Sequence, residues 1–293
     1  MASTATTATQ DGKDARAKAQ PGTLAVLGGG QMGGSIISRV VESGLFPASR
    51  VRVGEPYEPL RRALAERLGV QATADNREAI EGADTILLAV KPDIIRVAAE
   101  QLRDRLTPDT LVMSIAAGVE LATIQRGLQH PAIIRVMPST PAQVGMSISA
   151  WFATEHVTAQ QKETARAILR SFGREFEVDQ EKYLDMVTAV SGSGPAWVML
   201  MLEALTDAGV QIGLKREWAY DLALQTFAGS TELARQTGKH PAELRNVVTT
   251  PGGTTAAGLY EMERGGLRGT IAAGIVAAYK RCVELGEAAR NQS

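Results

Sequence analysis

Apolar and polar positions divide the chain into two stretches of different periodicity. From Thr23 to about Val178, short apolar runs alternate with segments of helical spacing. Leu24–Leu27 is an unbroken apolar run, and residues 32–43 place apolar side chains in steps of three and four. Steps of that size line one side of a helix. Val51 and Val53 mark a second strand, and residues 59–68 a second helix that stops before Gly69. The run from Thr85 to Val90 shows no polar alternation. Strands buried on both faces of a parallel sheet read in this way. A helix over 93–106, strands at 111–115 and Ile133–Met137, a helix near 158–172 and a strand near 174–178 continue the series. Strand alternating with helix through short connections predicts an α/β, doubly wound sheet.

From Asp179 onward the strand patterns vanish. Helices are predicted over 181–190, 195–208, 216–236, Thr254–Arg264 and 267–289. In the last, Leu267, Ile271, Ile275, Ala278, Cys282 and Leu285 share one face. This all-α half is rich in Ala and Gly and lacks a large core of its own, which reads as an oligomerisation domain. Residues before Thr23 are Ala/Thr-rich, polar and aperiodic, without the apolar stretch of a secretory signal. The expected organisation is a disordered tail at 1–22, a dinucleotide-binding domain at 23–178 and a helical dimerisation and substrate domain at 179–293.

Composition narrows the function classes. The 293 residues carry a formal net charge of -1 and are 22% charged, with a single cysteine, Cys282. A near-neutral balance argues against a general nucleic-acid binder, which needs a basic stripe. One cysteine excludes an intrachain disulfide and a cysteine metal cluster. His130, His156 and His240 lack the spacing of zinc ligands, so no metal is expected. No apolar run is long enough to span a membrane, and a cytoplasmic location is expected.

The segment from Leu27 through Gly28, Gly29, Gly30, Gln31 and Met32 to Gly33 carries G-x-G-x-x-G between a predicted strand and a predicted helix. That context marks a dinucleotide site. Gly28 allows the tight turn, Gly30 the close approach of the pyrophosphate, and Gly33 the packing of helix on strand. Glu55 ends the second strand, where an acidic side chain accepts from the adenosine ribose hydroxyls and favours NADH. Arg61 and Arg62 follow and could pair instead with the 2′-phosphate of NADPH. The choice between the two nicotinamides stays open at this point.

Ligands of open α/β sheets bind outside the carboxyl ends of the strands. Ala89, Val90, Lys91 and Pro92 lie at such an end and are read as the wall of the nicotinamide pocket. Two segments of the helical half offer seats for a carboxylate. Ser191-Gly192-Ser193-Gly194-Pro195 reads as a loop opening a helix, and Thr249-Thr250-Pro251-Gly252-Gly253-Thr254-Thr255 reads as another. Each presents N–H groups and hydroxyls at a positive helix end. Ordinary helix capping by Ser and Thr is the alternative reading. No nucleophile elbow and no phosphate-loop lysine is present, so the chemistry is expected to reside in a cofactor.

The stretches at 27–33, 83–92 (ADTILLAVKP), 114–119 (SIAAGV), 135–142 (RVMPSTPA), 189–196 (AVSGSGPA) and 249–255 (TTPGGTT) together resemble the pyrroline-5-carboxylate reductases, in family order. The resemblance implies a Rossmann-type domain followed by a helical domain that interlocks with a second subunit. It implies reduction of 1-pyrroline-5-carboxylate to L-proline by NADPH or NADH, with hydride passing to C5 of the iminium and solvent supplying the proton. By the same resemblance the cofactor contacts Leu27 to Met32, Glu55, Asn76, Ala89 to Lys91 and Ala117. The N–H groups of Gly253, Thr254 and Thr255 would hold the substrate carboxylate, with the catalytic Thr255 hydroxyl near the ring nitrogen. Ser191, Gly192 and Ser193 would close the pocket from the partner's side. Ser139 and Trp197 depart from the usual Asn and Tyr or Phe. The assembly implied is a homodimer at minimum, and the resemblance allows a ring of dimers. Two other functions compete. A 3-hydroxyacid-type dehydrogenase needs a lysine that residues 195–213 do not contain, and a non-catalytic NAD(P) sensor would bind nucleotide without consuming it.

Overall fold

The structure, a computed structural model, describes residues 22–291. The segment read as a disordered tail lies outside the described residues except for Gly22. The chain divides into two units, one formed by residues up to Leu184 together with those from Leu285, the other by Asp185–Glu284.

The first unit runs β1 (Leu24–Leu27), α1 (Gln31–Glu42), β2 (Val51–Gly54), α2 (Glu58–Leu68), β3 (Gln71–Thr73), α3 (Asn76–Ala79), β4 (Thr85–Leu88), α4 (Ile95–Leu102), β5 (Leu111–Ser114), α5 (Leu121–Leu128), β6 (Ile133–Met137), β7 (Ser147–Ala153), α6 (Ala159–Arg170) and β8 (Gly173–Glu177). The eight strands form one sheet in the order β3-β2-β1-β4-β5-β6-β7-β8. All neighbouring pairs are parallel except β6 and β7. Leu27 at the end of β1 pairs with Gly54 on one side and Leu88 on the other. The strand order reverses there, and ligands of such sheets bind at that crevice.

Side-chain alternation explains the two layers. Leu24 and Val26 join Ile36, Ile37 and Val40 of α1 and Leu64 of α2 in one cluster. Ala25 and Leu27 join Ile95 and Leu102 of α4 and Ile124 of α5 in the other. Every residue of β1, β4 and β5 is buried, which is why their sequences lack polar alternation.

Four elements of this unit were not predicted, nor was the short helix Pro241–Val247 further on. β3 is a three-residue edge strand, and α3 is a single turn. α5 spans two turns and ends at Gln129 with φ 51. β7 buries Ser147, Ser149 and Trp151 on one face, so its inward positions include hydroxyls and hide the pattern. The helix expected over 93–106 is shorter, because Pro92–Ile94 forms a 3-10 turn and α4 stops before Asp104 at φ 64.

The second unit begins inside α7 (Tyr183–Val187) and continues through α8 (Gly194–Gln211), α9 (Arg216–Thr237), α10 (Pro241–Val247), α11 (Thr254–Arg264) and α12 (Leu267–Asn291), whose last turns belong to the first unit. A wide, five-residue π turn at Thr188–Gly192 joins α7 to α8. The serine–glycine segment is therefore not the loop that its composition suggests. Its Ser193 N–H reaches back to the Thr188 carbonyl at 2.8 Å, which keeps the backbone helical. α8 and α9 pack through small residues, and a Cβ at Gly209 would stand 2.9 Å from Ala219 Cβ. Few long apolar side chains of this unit are buried. Met199, Leu200, Trp218 and Leu222 are more than half exposed, an amount of apolar surface that marks an interaction face. Among the described residues, no helix is long and apolar enough to cross a membrane.

Candidate active site

The glycine loop lies at the switch point, and its three glycines have separate causes. Gly28 adopts φ +98, and a Cβ there would come 2.7 Å from the Ala89 carbonyl oxygen. Its N–H donates to the Gly54 carbonyl at 2.8 Å, and the Ala89 N–H to the Leu27 carbonyl at 2.8 Å. The turn is thus clamped between β2 and β4. At Gly33 a Cβ would lie 2.0 Å from the Gly28 carbonyl oxygen, so glycine lets α1 rest directly on the loop. At Gly30, the N-cap of α1, a Cβ would meet no atom within 4 Å, and no side chain caps the helix. The protein does not need glycine there for its own packing. An open cradle before uncapped N–H groups fits a pyrophosphate, and the loop passes this test for a dinucleotide cofactor. Gln31 and Met32 form the first turn of α1 behind it.

Glu55 follows β2 directly, beside the glycine loop. It is buried, and its Oε2 accepts from the Gly29 N–H at 2.8 Å while Oε1 accepts from Tyr57 N–H at 2.9 Å. Arg61 Nη1 donates to the carbonyls of Glu55 at 2.9 Å and Pro56 at 3.1 Å. Asn76 stands at the start of α3, directly against Gly54, where a Cβ would come 2.5 Å from its Oδ1. Its amide donates to Gln101 Oε1 at 3.0 Å. Neither the Arg61 nor the Gln101 contact is visible in the sequence, because each depends on which helix faces the loop.

Ala89, Val90 and Lys91 leave β4 beside the glycine loop, and Pro92 and Ala117 line one groove of about 280 Å³. The Lys91 carbonyl accepts from the Ile94 N–H at 3.0 Å and starts the 3-10 turn at Pro92–Ile94. Ser139 is buried, with its hydroxyl 3.3 Å from that of Ser147 and accepting from the Ile148 N–H at 3.3 Å. It ties β6 to β7.

In the second unit, Thr250-Pro251-Gly252-Gly253 is a tight turn. The Gly253 N–H donates to the Thr250 carbonyl at 3.0 Å, and Gly252 has φ +70. Proline second and a left-handed glycine third is the type II pattern. Gly253 then serves as N-cap of α11 without a side-chain cap. With Gly253 N–H spent on the turn, the open donors are those of the first helical turn, Thr254 and Thr255, which no helix can satisfy internally. Thr255 is half-buried and Thr254 exposed. Ser193 likewise makes no cap at α8. Trp197, which stands where Tyr or Phe is usual, donates from Nε1 to the Ala189 carbonyl at 3.3 Å inside the π turn.

The comparisons with known proteins agree with this geometry. The family described as pyrroline-5-carboxylate reductase dimerisation matches residues 181–285, and that described as NADP oxidoreductase coenzyme F420-dependent matches residues 23–118. A pyrroline-5-carboxylate reductase of Synechocystis sp. is 44% identical over 265 residues, 90% of this chain and 98% of that protein. The chain belongs to the pyrroline-5-carboxylate reductase family. The solved pyrroline-5-carboxylate reductase of Coxiella burnetii is 36% identical with a TM-score of 0.84, covering 90% of this chain and 98% of that one. The pyrroline carboxylate reductase of Plasmodium falciparum, solved with NADP bound, is 29% identical with a TM-score of 0.83, covering 91% and 99%. The fold is the expected one, a Rossmann-type sheet followed by a helical dimerisation region. As a family member, the chain is an NAD(P)H-dependent oxidoreductase of proline biosynthesis, and its dimerisation region makes it a homo-oligomer.

Two histidines have local structural roles. His130 is buried with Nε2 2.7 Å from the Thr110 carbonyl, so Nε2 carries the proton. Burial pushes its pKa below the ordinary 6.5, and the carbonyl opposes this in part. His240 caps α10, its Nδ1 accepting from the Ala242 N–H at 3.2 Å.

Proposed function

We propose that residues 23–178 form the dinucleotide domain and 179–293 the dimerisation and substrate domain, and that the chain reduces 1-pyrroline-5-carboxylate to L-proline in the cytoplasm. Bound NAD(P)H supplies the hydride. Leu27 to Gly33 hold the pyrophosphate, Glu55 and Asn76 the adenosine side, and Ala89 to Pro92 with Ala117 the nicotinamide side. The N–H groups of Thr254 and Thr255 hold the substrate carboxylate at the positive end of α11, with Gly252 and Gly253 shaping its seat and Thr250 bracing it. The Thr255 hydroxyl stands at the ring nitrogen, and Ser191, Gly192 and Ser193 complete the pocket. No general acid is required, because the imine is protonated by solvent before it is reduced. Orientation of an anchored ring supplies the rate, and positioning of this kind is worth about 7–11 kcal/mol at most.

The observation that carries this reading is the Pro251-Gly252 turn, which delivers a side-chain-free N-cap in front of α11. By contrast, α6 closes its own start with Thr158 and Gln161 in a reciprocal capping box. The working assembly is a homodimer at minimum, and a ring of dimers is the larger form. Loss of the near-ultraviolet absorbance of reduced nicotinamide on adding pyrroline-5-carboxylate tests the reaction. Binding without consumption would mark a sensor, and indifference to the imine a hydroxyacid enzyme. Comparing the five- and six-membered imines tests ring size, which a pocket separates by only about 1–3 kcal/mol.

A further inference from the structure

The connection between β2 and α2 reads Glu55-Pro56-Tyr57-Glu58-Pro59. It offers an additional anion almost nothing. Pro56 and Pro59 have no N–H. The Glu55 N–H donates to the Thr73 carbonyl at 2.9 Å, and the Tyr57 N–H to Glu55 Oε1 at 2.9 Å. Only the Glu58 N–H is left, beside a second carboxylate. Glu55 itself is pinned at both oxygens, with Gly29 N–H on Oε2 at 2.8 Å. It cannot swing away from an incoming charge as a surface glutamate would. Each of its oxygens keeps a second lone-pair direction, which suits a pair of ribose hydroxyls.

The two arginines that could reverse this preference already hold other partners. Arg61 Nη1 is engaged by two backbone carbonyls. Arg62 Nε lies 3.8 Å from Glu66, one turn along α2. We propose that this chain selects NADH over NADPH at the β2–α2 connection. Glu55 accepts from the adenosine ribose hydroxyls, and Glu55 and Glu58 together repel a 2′-phosphate to which the backbone of the connection offers only the Glu58 N–H. The proposal rests on the dinucleotide reading of the glycine loop and not on the identity of the imine.

The test is equilibrium titration of the full-length protein with NADH and with NADPH, followed by nicotinamide fluorescence in the absence of imine. NADH should bind at least about tenfold more tightly, the scale of a like-charge contact in a partly hydrated site. Glu55→Gln keeps an acceptor for the loop and should narrow the ratio, chiefly by tightening NADPH. Glu58→Gln, at an exposed position with no packing role, should narrow it by a smaller factor. Arg61→Ala should leave it unchanged. Wild-type protein that binds NADPH as tightly as NADH overturns the proposal. So does Arg61→Ala if it weakens NADPH alone, because the guanidinium would then be serving the phosphate. Binding of neither nucleotide overturns the dinucleotide reading and this proposal together. Failure to reduce the imine is a separate result, read in a separate assay, and leaves the binding ratio standing.

Discussion

Gly30 and Gly33 sit three residues apart in one loop, and the structure gives them opposite requirements. At Gly30 the backbone has φ -59 and ψ -170, open to any L-residue, and an added Cβ would touch nothing within 4 Å. Gly30→Ala should therefore leave the ligand-free fold intact. Restricting the unfolded chain should even stabilise it by up to about 1 kcal/mol. At Gly33 the same methyl would stand 2.0 Å from the Gly28 carbonyl oxygen and 3.1 Å from Ala89 Cβ. The oxygen has no room to retreat, because Gly28 is bonded to Gly54 behind it at 2.8 Å. α1 must shift instead, which costs about 1–3 kcal/mol or more, a drop of roughly 3–10 °C in Tm for a chain of this size. Nucleotide binding should separate the two variants in the reverse direction. The Gly30→Ala methyl fills the cradle in front of the α1 N–H groups and displaces the pyrophosphate from them. Losing one charge-assisted hydrogen bond costs about 1.5–3 kcal/mol, so NADH affinity should fall at least tenfold. Thermal unfolding with and without NADH reads both quantities. Wild-type Tm rises with nucleotide, while Gly30→Ala keeps the basal Tm and loses most of the rise. A Gly30→Ala protein that binds NADH normally refutes the cradle, and one that is destabilised refutes the packing argument.

Four further outcomes are expected. Thr255→Ala should lower turnover roughly tenfold to a hundredfold with NADH affinity unchanged, the range for losing one positioned hydrogen-bonding group; steady-state kinetics with both substrates varied checks it. Gly252→Ala forces a methyl onto φ +70 and should open the turn before α11, raising KM for the imine while leaving nucleotide titrations untouched. Thr158→Ala removes the α6 capping box and should cost about 1 kcal/mol of stability with no change in turnover. His130 has a folded pKa below 6.5 because it is buried, so its contribution to stability is present above 6.5 and lost as pH falls through its lowered folded value. Wild-type Tm should drop more steeply below pH 6.5 than that of His130→Gln, which keeps an N–H for the Thr110 carbonyl, and equal slopes would refute the assignment.

What was legible in the sequence follows from how each element is buried. β1, β4 and β5 lie at the middle of the sheet and are buried throughout, with Thr85 and Ser114 as their only polar residues, so their runs stood out, and α11 was predicted with its observed limits because glycines bracket it. β7 did not stand out, since Ser147 and Ser149 occupy inward positions, the first paired with Ser139 just before the strand and the second without a partner for its hydroxyl. Ser139 also donates its N–H to Ser147 Oγ at 3.1 Å. Gly28 and Gly33 were legible because close backbone approach dictates glycine there, and Glu55 was legible from its place directly after β2. The pinning of Glu55, the diversion of Arg61 and the π turn were not. Each is a matter of which atom another group reaches in three dimensions, and the string Ser-Gly-Ser-Gly-Pro carries the composition of a loop even where Ser193 N–H still finds Thr188.

A bare helix start does not by itself identify a binding surface here, for α2 and α9 also begin without a side-chain cap. Tyr57 and Lys215 precede those helices, and neither is a capping residue. At α1 and α11 the situation differs. Each helix is launched by a left-handed glycine, Gly28 or Gly252, followed by a glycine N-cap, Gly30 or Gly253. Glycine at N-cap is nearly as good for the helix as Ser or Asp, within a few tenths of a kcal/mol, so the helix loses little by it. A hydroxyl or carboxylate in that place would occupy the first-turn N–H groups permanently. Glycine leaves them open to an outside oxygen, and the tight turn before it keeps the approach clear. On the proposed reading, the same construction would serve two anions of different size in two separate units, a pyrophosphate at α1 and a carboxylate at α11. This predicts that serine substituted at Gly30, where a Cβ meets no atom within 4 Å, will act as a competitor from within the chain, weakening nucleotide while the helix stays as stable as before, whereas at Gly253 an added Cβ would stand 2.4 Å from Thr250 Oγ1 and strain the turn as well.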